Sequence, residues 1–186
     1  LKVFHGADYD ILWLQRDFGV YVVNMFDTGI ASRLLQYPSF SLKYLLNEKC
    51  EYEKDKKYQL ADWRIRPLSK EMIKYAKNDT HFLLYVHDIL KKELIEKSIN
   101  EINSRSNFLY LYKQCIKQSN ELCMISYQKP IVKSEKYYNF TKINRNKSPI
   151  ELGIIKETYI FRDYVARLED RCPESILTKE KILRIS

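Results

Sequence analysis

The sequence predicts an α/β domain whose sheet is only partly contained in the chain, followed by an all-helical second unit. Three observations lead there. Two short apolar runs rich in β-branched and aromatic residues, Lys2 to Phe4 and Val20 to Met25, flank a segment with helical spacing, which is the strand, helix, strand order of a buried parallel or mixed sheet. Helical patterns then follow one another without a further strand, and since two short strands alone make no stable sheet, the missing strands are expected upstream. The last roughly 50 residues carry only helical patterns and helix caps.

Each element has a local reason. In Asp10 to Phe18 apolar residues recur at helical spacing, and Gly19 follows as a stop signal. A second helix is expected after Asp27-Thr28, over Ile30 to Leu35, and a third after Ser39 or Ser41, through Leu46. The charged stretch Glu51 to Lys57 reads as a surface loop, and Pro67-Leu68-Ser69 precedes one long helix from Ser69, a good N-cap, to about Asn100. A helix near Asn107–Lys117 lies in the connection that follows, and Lys129 to Pro149 is polar and rich in Lys and Asn. Ser148-Pro149 opens a helix reaching about Arg171, Pro173 breaks it, and Thr178 caps a last segment ending at Ser186. The domains are accordingly set at 1–100, 101–136 (connection with a helix) and 137–186.

With 186 residues and 45% hydrophobic content the chain can bury a real core. It contains no run of 18 apolar residues, and its start lacks the layout of a signal peptide, so the expectation is a protein that works inside a cell, without a membrane partner. It opens without Met on an apolar strand-like run, as a piece cut from a longer polypeptide would. Cys50, Cys115, Cys123 and Cys172 show no CxxC spacing, which disfavours zinc and suggests reduced thiols. The formal net charge is +8, and the excess sits in the middle: residues 101–150 carry 9 Lys+Arg against 3 Asp+Glu. Such a stretch fits either a solvated connection or nucleic-acid contact.

Two constellations carry chemistry. Phe4-His5-Gly6-Ala7 leads from a strand into a helix whose first turn holds Asp8 and Asp10, at the carboxyl end of a strand, where α/β sheets place their sites. Tyr75 and Asp79 are spaced i,i+4, which puts phenol and carboxylate on one helix face. In isolation the plainer explanations lead: acidic residues complement a helix dipole, and a Tyr and an Asp one turn apart form a surface hydrogen bond.

Read together, these segments resemble a family. His5-Gly6-Ala7-Asp8-Tyr9-Asp10-Ile11-Leu12-Trp13-Leu14-Gln15 resembles the second motif of the DEDDy 3′→5′ exonucleases, and Tyr75-Ala76-Lys77-Asn78-Asp79 resembles their third, Tyr-x-x-x-Asp. Between them, Tyr58-Gln59-Leu60-Ala61-Asp62-Trp63-Arg64-Ile65-Arg66-Pro67-Leu68 is similar to the Gln-x-x-Asp-Trp-x-x-Arg-Pro-Leu signature of RNase D relatives. With Val22 to Thr28, the likeness is to the eukaryotic nuclear, exosome-associated branch, and it covers residues 1–98. Phe161 to Asp170 resembles, more weakly, the core of the HRDC domain, a helical bundle found after RNase D catalytic domains. The implied fold is the C-terminal part of an RNase H-like (DnaQ-like) exonuclease domain followed by an incomplete HRDC-like bundle.

The resemblance implies two divalent metal ions, Mg²⁺ or Mn²⁺, held by four carboxylates. Asp10 and Asp79 match two of those positions, Tyr75 would orient the attacking water, and Asp8 would face solvent. A phenol with a reference pKa of about 10 need not act as a base. The family's first motif, Asp-x-Glu, precedes the second and is not in this chain, so this stretch alone is expected to be inactive. His5 and His81 read as supporting or core groups more readily than as ligands, since hard ions take carboxylates. His5, Trp63, Arg64 and Arg66 are candidate substrate-binding residues, with one arginine facing an ion pair or the interior and the other the RNA backbone. Gly29, where relatives carry a bulkier residue, and Phe40, where they often have His, depart from the pattern.

The implied activity is hydrolytic removal of nucleoside 5′-monophosphates from RNA with a free 3′ end, in nuclear, notably nucleolar, RNA processing and decay, with exosome core subunits and cofactors as partners. A catalytically silent RNA- or exosome-binding module and a DNA exonuclease of the same superfamily are the alternatives.

Overall fold

The computed structural model describes residues 1–53, 57–102, 107–132, 134–141 and 147–186. The chain divides into two compact units, Leu1–Tyr127 and Gln128–Ser186.

In the first unit, strand β1 (Lys2–Phe4) pairs in parallel with β2 (Met25–Asp27), in the register Lys2 to Met25, Val3 to Phe26 and Phe4 to Asp27. Between them runs helix α1 (Asp8–Phe18), which ends on Gly19 in the left-handed conformation (φ 62°), where a residue without Cβ is least strained. The second strand begins five residues later than the apolar run predicts. Asn24 takes a positive φ of 55°, and Val20, Tyr21 and Val23 are exposed. β-branched composition there reflects no ladder, because tertiary position overrides propensity.

Beyond β2, Asp27 caps α2 (Thr28–Leu34) and Ser41 caps α3 (Leu42–Cys50), each side chain accepting an N–H of the first turn. The single long helix expected from Ser69 is two: α4 (Lys70–His81), capped by Ser69, and α5 (Leu83–Ile102). The break falls at Phe82, just past Thr80, whose hydroxyl turns back onto the Lys77 carbonyl at 3.1 Å and competes with the helical ladder. Of the charged loop expected over 51–57, residues 54–56 lie outside the described ones.

Helix α6 (Tyr110–Cys123), six residues longer at its C-terminal end than the spacing near Asn107–Lys117 predicts, lies against β2. The Met25 and Asp27 N–H groups donate to Asn120 Oδ1 (3.2 Å) and Ser119 Oγ (3.0 Å), so α6 side chains accept where a further strand would. The core joins Phe26, Ile30, Leu45, Leu46, Val86, Leu90, Leu94 and Cys115, drawn from β2, α2, α3, α5 and α6. Burying one such Leu or Phe contributes about 1.5–3 kcal/mol. The α1 side is closed by Ala7, Ile11, Val22 and Met25, and the buried Gln15 amide clasps the chain after α6, donating to Ile125 O at 2.8 Å and accepting from Tyr127 N–H at 2.7 Å.

In the second unit a 3₁₀ turn (Ser134–Tyr137) and α7 (Tyr138–Thr141) precede α8 (Pro149–Leu168), which opens with a full capping box between Ser148 and Glu151. Then come α9 (Pro173–Ile176) and α10 (Lys179–Ile185), capped by Thr178. Tyr137, Ile155 and Ile182 form its core. Arg162 is a buried anchor: one guanidinium nitrogen donates to Glu174 at 2.9 Å and to the Leu177 carbonyl at 3.1 Å. Among the described residues no helix is long and apolar enough to cross a membrane.

Candidate active site

At the end of β1 the chain turns through Gly6 (φ 62°), again a conformation suited to glycine, and enters α1 at Asp8. Ala7 stands at the cap position and has no side chain to accept from the helix. The carboxylate of Asp27, from the end of the neighbouring strand, fills that role: it accepts Gly6 N–H at 3.0 Å and Ala7 N–H at 2.8 Å. The same carboxylate accepts Gly29 N–H at 2.7 Å and Ile30 N–H at 3.2 Å at the start of α2. A Cβ on residue 29 would stand 3.1 Å from Asp27 Oδ1 and 3.4 Å from Gly6 N, so glycine relieves the crowding there.

Asp10 lies in the first turn of α1 and is exposed. Partial desolvation pushes its carboxyl above the ordinary aspartate range, and the negative charges of Asp27 and Asp8 add to the rise, against a lowering backbone hydrogen bond. His5 Nδ1 is 2.9 Å from Thr28 Oγ1, and that hydroxyl spends its own proton on the Phe4 carbonyl at 3.0 Å. The imidazole must therefore be the donor through Nδ1. His5 is thus tied to the strand ends, a supporting place. His81 is exposed at the end of α4, edge-on to Phe82.

On α4, Tyr75 and Asp79 line a cavity of about 650 Å³ together with Ser41, Leu42 and Lys43 of the α3 start, Ala76, and Tyr58, Gln59 and Trp63 of the segment before α4. Tyr75 is half-buried, with ring centroids 5.8 Å from Tyr58 and 6.0 Å from Trp63. Trp63 is itself fixed by its indole N–H, which donates to the Tyr58 carbonyl at 3.1 Å. Neither arginine lines this cavity. Arg64 grips Asp62 through two nitrogens at 2.8 and 2.9 Å, and hydrogen bonds from that guanidinium and from the Arg64 N–H hold the Asp62 carboxyl down at about 2. Arg66 donates to the carbonyls of Trp63 (2.6 Å) and Ile65 (2.9 Å). Arg64 is thus the ion-paired member of the two.

The structure gathers Tyr75, Asp79 and Trp63 around one cavity, while Asp10 and His5 sit at the β1–α1 turn and are not in its lining. Among the described residues no group of three or more His, Cys, Asp and Glu forms a ready metal site. The donor set nonetheless fits hard divalent ions: carboxylate oxygens suit Mg²⁺ or Mn²⁺, and a cation would relieve the like charge that raises Asp10. The reading of the sequence missed Asp27 and Tyr58. Asp27 carries a visible signal, an Asp-Thr pair at a strand end, which by itself predicts a helix start and no role at the site.

Comparison with known proteins shows the family. Residues 1–95 match the family described as 3′-5′ exonuclease. The chain is 41% identical over 186 residues to "Exosome complex component 10 homolog" of Caenorhabditis elegans and 40% identical over 189 residues to "Exosome complex exonuclease RRP6" of Saccharomyces cerevisiae, covering 100% and 97% of this chain. It spans only 20% and 25% of the length of those relatives. The crystal structure of the catalytic core of RRP6 from Trypanosoma brucei superposes with a TM-score of 0.81 at 36% identity, covering 100% of this chain and 48% of that one. The two-stranded parallel pair with its helices is therefore part of a DnaQ-like exonuclease fold, and the chain belongs to the 3′-5′ exonuclease family.

Proposed function

We propose that this chain is part of a metal-dependent 3′→5′ exoribonuclease that acts with the exosome in nuclear, including nucleolar, RNA processing and decay. One observation carries the reading most directly: Tyr75 and Asp79, one turn apart on α4, face the same cavity with Trp63 and Tyr58 packed around the phenol. The relatives named for the exosome support the partner.

In this reading Asp10 and Asp79 hold two divalent ions, Mg²⁺ or Mn²⁺, with carboxylates contributed from outside these 186 residues. When bound, such ions lower the pKa of a water and stabilise the leaving 3′ oxygen. The chain's own residues do the rest. Tyr58 and Trp63 lock the Tyr75 ring, so its hydroxyl is held at a fixed place to orient the attacking water. The Asp62–Arg64 pair and the Arg66 bonds to carbonyls brace the segment that carries Trp63. Trp63 offers an aromatic face to the substrate, His5 braces the strand ends through Thr28, and residues 137–186, an HRDC-like bundle around Arg162, add RNA contact.

The test compares the full-length protein with the 186-residue stretch on RNA with a free 3′ hydroxyl. The full-length protein should release nucleoside 5′-monophosphates, and the stretch alone should release none. Degradation by the stretch alone would contradict the placing of half the carboxylates outside it. A full-length protein that binds RNA without degrading it would leave a silent binding module, and one that degrades only DNA would name the other branch.

A further inference from the structure

We infer that Asp27 is a positioning residue of the carboxylate site, one that ties the turn carrying Asp10 to the second strand and second helix. The inference rests on the reading of Asp10 as a metal ligand and deepens it.

Asp27 cannot be a ligand itself. It is fully buried, Oδ1 accepts three backbone N–H groups (Gly6, Gly29, Ile30), and Oδ2 accepts a fourth from Ala7. An ordinary helix cap accepts from its own helix only. Here half of the acceptor capacity goes to a different element, the β1–α1 turn, twenty residues earlier in the chain. That turn has no cap of its own, since Ala7 carries no polar side chain. With Gly6 in the left-handed conformation the turn is otherwise soft. Asp10 is only three residues beyond Ala7, in the first turn of the helix that this clasp starts, so its carboxylate moves with the clasp.

The clasp is held in turn from behind. The Asp27 N–H donates to Ser119 Oγ at 3.0 Å, and Ser119 donates to the Cys115 carbonyl at 2.7 Å, which fixes the strand end against α6. Groups that orient a metal ligand from outside the coordination shell typically change metal affinity by about 10- to 100-fold when removed.

Serine separates the two duties of Asp27. Its hydroxyl can still cap α2, but it is one bond shorter and has a single oxygen, so it cannot also hold Gly6 and Ala7. Mn²⁺ binding by the full-length protein, followed by the loss of the free-ion paramagnetic resonance signal, should weaken at least about tenfold in Asp27→Ser at a temperature where circular dichroism shows it fully folded. Asp27→Asn keeps the length but turns an amide group toward an N–H that needs an acceptor. It should weaken binding as well, and it supplies the reading if the serine variant does not fold. Leu94→Ala, destabilised in the core away from the turn, should bind as the wild type does. Wild-type Mn²⁺ affinity in folded Asp27 variants, or an equal loss in Leu94→Ala, would overturn the inference. Asp10→Asn tells the two claims apart: a loss there with none in the Asp27 variants sinks only the role of Asp27, while unchanged binding in Asp10→Asn sinks the metal-site reading and this inference with it.

Discussion

The indole of Trp63 and the phenol ring of Tyr75 lie with centroids 6.0 Å apart, on the wall of the cavity that Asp79 shares. The contact belongs to the ring and owes nothing to the hydroxyl. Tyr75→Phe should therefore keep the packing and cost at most about 1 kcal/mol of stability, as for one lost hydrogen bond. If the hydroxyl orients the attacking water, single-turnover RNA decay by the full-length protein should slow, with little change in RNA affinity. A near-normal rate would remove Tyr75 from the catalytic residues.

Asp8 and Asp10 share the first turn of α1, yet under the proposed function only Asp10, with Asp79, holds metal. Asp8→Asn should cost about 0.3–1 kcal/mol of helix-dipole stabilisation and little activity. Asp79→Asn should abolish most of the rate. Equal slowing of RNA decay by the two variants would show the ligand assignment to be wrong.

Burial pushes the Cys115 thiol from 9.0 up to about 12, with the Asp27 charge adding to the rise. A raised folded-state value means the folded protein keeps a proton that the unfolded chain loses. The contribution is fully present below about pH 9 and is lost as pH climbs from 9 toward 12, by up to about 1.4 kcal/mol per pH unit. The stability advantage of wild type over Cys115→Val should then shrink between pH 8 and pH 10 in denaturant unfolding. A constant difference would contradict the burial argument.

How much of this was legible depended on whether the signal was local. Gly19, Ser41, Ser69, Ser148 and Thr178 mark helix ends by short-range chemistry, and each stands where a cap was expected. The Tyr75–Asp79 pairing follows from helical spacing and needs no tertiary knowledge. Val20 to Val23 misled because β-branched residues were read as a strand, while the ladder takes only Met25–Asp27. The break at Phe82 was hidden because apolar spacing continues through it. Asp27 could not be read beyond its cap, since its other partners, Gly6 and Ala7, become neighbours only through the pairing of β1 with β2. The burial of Arg162 was hidden for the same reason: its partners Glu174 and Leu177 arrive only when the chain turns after α8.

The basic stretch between Lys129 and Lys147 should bind phosphates. Of its cationic residues, Lys133, Lys142 and Arg145 lie outside the described residues. The logarithm of RNA affinity of the full-length protein should fall linearly with the logarithm of salt concentration. Neutralising these lysines should lower the slope by roughly 0.7 for each phosphate of single-stranded RNA that they would otherwise neutralise. An unchanged slope would make the stretch a plain connection.

The most direct test follows the full-length protein on two RNAs of one sequence, one linear with a free 3′ hydroxyl and one circular, with Mg²⁺ and then with excess chelator. The linear RNA should be shortened from its 3′ end to nucleoside 5′-monophosphates with the metal present. It should persist in chelator, and the circle should stay intact throughout. Undiminished decay in chelator, or cleavage of the circle, would contradict a metal-dependent 3′→5′ exoribonuclease built on Asp10 and Asp79.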